Sequence, residues 1–140
     1  MAEAFPAVEA LLPHRGPALL IEAVDALSAD GITCWGLVPP GSPFAADGRA
    51  PSFLGLEMGA QAAALFEALR REHDPNDAAP RLGYLVGIRD AQLAAELPVG
   101  RRLLVTVRPA GGAGPLGLYE VSVGEDGVEF ARGLLSTYAA

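Results

Sequence analysis

The fold turns on one stretch of sequence: Pro51-Ser52-Phe53-Leu54-Gly55-Leu56-Glu57-Met58-Gly59-Ala60-Gln61-Ala62-Ala63-Ala64-Leu65-Phe66-Glu67-Ala68-Leu69-Arg70-Arg71-Glu72-His73. It is dense in Ala, Leu, Glu, Met, Gln and Arg, the residues that lose least freedom in a helix. Pro51 suits a first helical turn, where its missing N–H costs nothing. Asp74-Pro75-Asn76-Asp77 ends the pattern. The spacing predicts a helix over 51–73, about 22 residues and roughly 33 Å long. Gly55, Gly59 and Ala63 recur every four residues, a stripe of small side chains where another backbone can come close. Ala60, Ala62 and Ala64 thin the helix further.

On either side of this helix the pattern is β. Upstream, residues 5–12 read as a short helix stopped by Pro13. Pro17 to Leu27 reads as a strand, Ala29-Asp30-Gly31 as a turn, and Ile32 to Val38 as the return strand. Residues 39–51 change character, because Pro39, Pro40 and Pro43 each remove a backbone donor and fix φ. Downstream, Arg81 to Ile88 is a strand that can continue to Leu93, and Arg101 to Arg108 is another. Gly111-Gly112-Ala113-Gly114-Pro115 reads as a turn and Leu118 to Val123 as a strand. Glu125-Asp126-Gly127 reads as a tight hairpin, and Val128 to Tyr138 closes the set. Period-2 alternation with a turn about every ten residues indicates an antiparallel sheet. One long helix and one sheet bury each other best when the sheet curls around the helix. The expectation is therefore α+β: a hotdog fold, about six antiparallel strands wrapped around one long central helix, as a single domain over residues 1–140.

Composition sets limits on partners. With 140 residues, 51% of them hydrophobic, the chain can build one core. No apolar run approaches the ~18 residues of a membrane span. The start, Met1-Ala2-Glu3-Ala4-Phe5-Pro6, lacks the basic and apolar segments of a secretion signal. A single cysteine, Cys34, points to a reducing compartment, and a cytoplasmic location is expected. The net charge is −7 and all ten positive side chains are arginines. Nucleic acid needs a field of the opposite sign, so neither nucleic acid nor membrane is expected as a partner. No Cys/His cluster has zinc spacing, the carboxylates form no calcium loop, and Gly111 to Gly114 lacks a phosphate-binding context. No metal and no cofactor are expected.

Two segments carry a resemblance. Leu11-Leu12-Pro13-His14-Arg15-Gly16-Pro17-Ala18-Leu19-Leu20 resembles the "LLPHRxPxLL" opening of the 3-hydroxyacyl-carrier-protein dehydratases. Pro51 to Gln61 resembles their "PGVLxxEAxAQ" helix start. Gly83-Tyr84-Leu85-Val86-Gly87 and Pro98-Val99-Gly100 look more like a divergent branch, the dehydratase-like subunit of aryl-polyene pathways.

The resemblance implies a mechanism. A histidine takes the α-proton of a 3-hydroxyacyl thioester, and a carboxylic acid on the central helix protonates the departing hydroxyl. Backbone N–H groups at the helix start polarise the thioester carbonyl. In the family's dimers, histidine and acid come from different protomers. Glu57 matches the acid, and burial there would keep it protonated; by pattern alone a helix glutamate is a solvated one. Ser52, Phe53 and Gln61 fall at substrate-binding positions. The histidine does not match: its position, fourteen residues before the acid in the family's "HFPG"-type loop, is Pro43 here. His14 belongs to the opening motif, structural in the family, and His73 ends the helix roughly 24 Å from Glu57. Cys34 and Trp35 read as packing residues.

The expected function is a dehydratase-like hotdog subunit that acts on or binds 3-hydroxyacyl-carrier-protein thioesters in fatty-acid, polyketide or aryl-polyene synthesis. Its site is incomplete alone, and it works as a homodimer or as a heterodimer with a second hotdog protein that supplies the histidine. Two alternatives remain open: an acyl-thioester hydrolase using Glu57, and a non-catalytic acyl-binding scaffold. Arg101 and Arg102 are the candidate docking cations for an acidic carrier protein.

Overall fold

The computed structural model describes residues 5–72 and 83–139. Two 3-10 turns, Val8–Ala10 and Gly16–Ala18, precede β1 (Ile21–Ser28) and β2 (Gly31–Gly36). A two-residue strand β3 (Arg49–Ala50) leads into the helix α1 (Phe53–Glu72). Then come β4 (Gly83–Leu93), β5 (Leu97–Pro98), β6 (Leu103–Ala113), β7 (Leu116–Glu125) and β8 (Val128–Ala139). Six strands form an antiparallel sheet in the order β1-β2-β6-β7-β8-β4, and α1 packs against one face of it in the hotdog arrangement. The helix stop at Asp74–Asp77, the strand start at Arg81, and His73 lie outside the described residues.

The core lies between helix and sheet. Met58, Ala62, Leu65, Phe66 and Leu69 on α1 are buried, as are Val105, Val107, Val121, Val123 and Leu135 on β6, β7 and β8. Burying each of the larger side chains contributes about 1.5–3 kcal/mol against conformational entropy. The small-residue stripe lets the sheet in: a Cβ at Gly55 would lie 2.8 Å from the Ala131 Cβ, and one at Gly59 2.8 Å from the Val121 Cβ.

Local chemistry fixes the turns. Asp126 and Gly127 both have positive φ, 51° and 81°. Glu125 pairs with Val128 across them, as a two-residue hairpin of the Asp-Gly kind requires. The expected turn over 111–115 is shorter than predicted. β6 runs on to Ala113, and only Gly114 and Pro115 turn the chain. Gly111 and Gly112 take φ of 110° and 129°, and a Cβ on Gly112 would meet the Leu116 carbonyl at 2.4 Å. These glycines allow the ladder to continue through a register shift instead of ending it. The strand expected from Pro17 begins at Ile21 instead, because Gly16 (φ 59°) and Pro17 shape a 3-10 turn.

A second, two-stranded sheet was not foreseen. β3 pairs with β5, Arg49 with Pro98 and Ala50 with Leu97. With Gly100 N–H donating to the Val38 carbonyl at 2.8 Å, this ladder pins the proline-rich loop where it meets the helix. β4 is an edge strand on which Leu85, Val86, Ile88 and Leu93 are all 41–57% exposed. No helix among the described residues is long and apolar enough to cross a membrane.

Candidate active site

α1 begins where the pinned loop ends. The Pro51 and Ser52 carbonyls accept from Leu54 and Gly55 N–H, at 3.1 and 2.9 Å, and close the first turn. Glu57 follows one turn later, at the wall of a cleft of about 420 Å³. Pro17, Ala18 and Leu20 form one side, Phe53, Leu54 and Leu56 the helix side, and Leu85 and Ile88 of β4 the third. Phe44, from the proline-rich loop, stands edge-on to Phe53 with ring centroids 5.8 Å apart. Among the described residues, Glu57 is the one ionisable side chain in this apolar lining.

Gln61, one turn further on, is 1% exposed and spends its amide inside the protein. Its Nε2 donates to the Ala18 carbonyl at 2.7 Å and reaches Glu57 Oε1 at 3.2 Å, while its Oε1 accepts from Leu20 N–H at 2.9 Å. Expected as a substrate-binding residue, it is buried and stands outside the cleft lining, hydrogen-bonded to Glu57. Phe53 does line the cleft; Ser52 shapes the turn before it.

His14 is the residue whose placement the sequence left unread. Its Nε2 stands 3.6 Å from Glu57 Oε1, on a loop stitched by Arg15. The Arg15 guanidinium donates to the carbonyls of Leu12 (2.7 Å), His14 (2.7 Å) and Glu9 (2.8 Å). The signal was present in the opening motif, yet nothing local says that this loop folds back onto the helix. Phe44, Leu85 and Ile88 were also missed, since which members of a β strand or loop line a cleft depends on tertiary placement.

The other candidates fall elsewhere. The Glu57 side chain is 42% exposed, so this chain alone does not give it the burial expected of a protonated acid. Pro43 is exposed, immediately before Phe44. Arg101 is paired with Glu125 at 2.6 Å, and Arg102 stands over the Trp35 ring at 4.8 Å with Glu22 at 3.8 Å. Neither is a cation without a counter-charge. Cys34 is fully buried in β2, and burial, with the Asp25 charge behind it, pushes its thiol up to about 12. Such a thiol is inert.

A family model for ApeP-like proteins, described as ApeP dehydratase, matches residues 6–140. The chain belongs to the ApeP-like dehydratase family. Solved structures agree with this membership. The dehydratase heterocomplex ApeI:P from Xenorhabdus doucetiae contains a chain 26% identical, with a TM-score of 0.86, covering 98% of this chain and 93% of that one. An HP0420-homologue from Helicobacter felis (14% identity, TM-score 0.69, 100% and 93% covered) shares the fold. So does a hypothetical thioesterase with coenzyme A from Streptococcus pneumoniae (8% identity, TM-score 0.62, 84% of each chain). Among curated proteins no sequence match is found. As an ApeP-like protein the chain is a divergent, dehydratase-like member of the hotdog fold.

Proposed function

We propose that this ApeP-like chain is one half of a dehydratase for 3-hydroxyacyl-carrier-protein thioesters, with Glu57 as its proton donor and a second hotdog subunit supplying the base. The observation that carries the reading is Glu57 as the sole ionisable group, among the described residues, in an apolar, acyl-sized cleft, one wall of which is the uncovered edge strand β4. A hotdog partner that extends the sheet along β4 would close that wall beside the acid, and the likeness to a heterocomplex of dehydratase subunits supports such a partner. His14 touches Glu57 itself, too close for substrate to pass between them.

In the proposed reaction the partner's base takes the α-proton, and the C–H pair becomes the C2=C3 bond. The C3–O bond breaks towards oxygen, and the Glu57 proton goes to the departing hydroxyl, which leaves as water. The thioester carbonyl, placed at the start of α1, would carry its transient negative charge near the positive end of the helix dipole. Docking of an acidic carrier falls to surface arginines, with Arg101 and Arg102 the proposed pair; reversing both charges is expected to weaken carrier binding.

The test is an assay of enoyl-thioester formation by this chain alone, by the chain with a co-encoded hotdog partner, and by the same complex carrying Glu57→Gln. Loss of a general base or acid costs about 10²–10⁴-fold, so the first and third reactions should be slower than the second by that factor. Full activity of the lone chain would overturn the shared site, and full activity of the Glu57→Gln complex would overturn the acid. Release of free thiol without enoyl product would make the protein a hydrolase instead.

A further inference from the structure

Glu57 Oε1 faces two nitrogens of its own chain, Gln61 Nε2 at 3.2 Å and His14 Nε2 at 3.6 Å. Both approach the same oxygen. Gln61 is itself tied down by Ala18 and Leu20, and His14 sits on the loop that Arg15 stitches through three carbonyls. Two supports, Gln61 on α1 and His14 on the loop, both anchored through residues 9–20, thus converge on one carboxyl oxygen. The other His14 nitrogen, Nδ1, is buried without a hydrogen-bond partner. A neutral ring with its proton on Nε2 is the tautomer that leaves no buried donor unsatisfied, and it turns an N–H towards Glu57. Glu57 lines the cleft and His14 does not, so the imidazole stands behind the acid and not across the substrate from it.

We propose that His14 is a positioning residue for Glu57: together with Gln61 it occupies Oε1 and thereby assigns Oε2 as the oxygen that carries the proton into the cleft. The inference rests on the reading of Glu57 as proton donor and adds which atom reacts and what selects it. A carboxyl group with one oxygen engaged by two donors keeps its proton on the other, and a proton held in one place can be delivered along one direction. At 3.6 Å the histidine contact is longer than a hydrogen bond, so it restrains the carboxyl through the N–H dipole and shape until the site tightens around substrate. The "Pro-His-Arg" loop then has a chemical reason to fold against this helix: the arginine holds the loop, and the loop holds the histidine.

The experiment compares His14→Leu, His14→Gln and Glu57→Gln in the assembled two-subunit complex. His14→Leu is expected to lower kcat about tenfold with KM within about twofold, the signature of an interaction that matters only in the transition state. His14→Gln, which returns an N–H donor to the same place, is expected to recover most of that loss. Wild-type kcat in His14→Leu beside an inactive Glu57→Gln would overturn the role of His14 and leave the acid standing. Wild-type kcat in Glu57→Gln would overturn the acid itself, so the two failures are distinguishable. A second measurement needs no activity. In a crystal structure of the His14→Leu complex the Glu57 carboxyl should spread over more than one rotamer where the wild type holds one, since the contact at 3.6 Å is gone and only Gln61 still engages Oε1. A single, unchanged Glu57 rotamer would overturn the proposal.

Discussion

Gln61 and Leu20 are joined by a buried hydrogen bond, 2.9 Å from the Leu20 N–H to Gln61 Oε1, that fastens the central helix to the chain entering β1. Replacing Gln61 by Leu keeps the volume and removes both amide functions. It strands the Leu20 N–H and the Ala18 carbonyl in the interior, at about 1–3 kcal/mol for each orphaned group. Thermal unfolding of Gln61→Leu should show Tm lowered by on the order of 10 °C. An unchanged Tm would mean that water reaches both groups.

At Gly59 the helix backbone lies against Val121, with all three carbon atoms of that side chain 2.8–3.0 Å from a built Cβ. Gly59→Val improves no contact there and forces helix and sheet apart. Overpacking of this kind costs about 1–3 kcal/mol, more than the helix propensity gained on leaving glycine. Urea unfolding should give a lower midpoint. The same substitution at Gly41, exposed and with nothing within 4 Å of its Cβ, should move the midpoint far less.

Cys34 sets an alkaline limit on stability. Its folded thiol is raised from 9.0 to about 12, chiefly by burial and then by Asp25, so the folded state holds a proton that the unfolded chain gives up. The resulting stabilisation is complete below pH 9 and is lost as the pH climbs from 9 towards 12, at up to about 1.4 kcal/mol per pH unit. In Cys34→Ala that slope should vanish from unfolding curves recorded across the window. A thiol reagent at pH 8 should find the cysteine only after denaturation.

Val86 on β4 is 57% exposed. Val86→Glu should leave the isolated chain's Tm within about 2 °C, since a surface change costs little in the free subunit. It should also prevent co-elution with a hotdog partner in size-exclusion chromatography. Co-elution at wild-type levels would place the partner on another face.

Much of this architecture can be read from the residues because local preference and global packing agree. The helix over 53–72 is made of strong helix formers, its Gly55 and Gly59 sit where the sheet needs room, and Asp126-Gly127 closes a hairpin that few other pairs could close. What escaped reading is non-local. β3 and β5 are two residues each, too short for any periodicity, and exist only because their strands meet. Gly111 and Gly112 look like a turn because a bulge uses the same conformational freedom as a turn. Within the site, Glu57 stands out by its motif, but its contact with His14 joins a loop and a helix far apart in the chain. No spacing rule signals such a meeting. The exposure of Glu57 is likewise a property of which surfaces the fold leaves uncovered, and no local pattern reports it.

The bare β4 edge has a consequence for the solution behaviour of the chain. Strands at a sheet margin are commonly shielded by lysine, and this polypeptide has none; Arg89 and Asp90 are the only charges that β4 carries. A chain left without a partner on this side would present Leu85, Val86, Ile88 and Leu93 beside unpaired backbone groups, a ribbon that favours self-association.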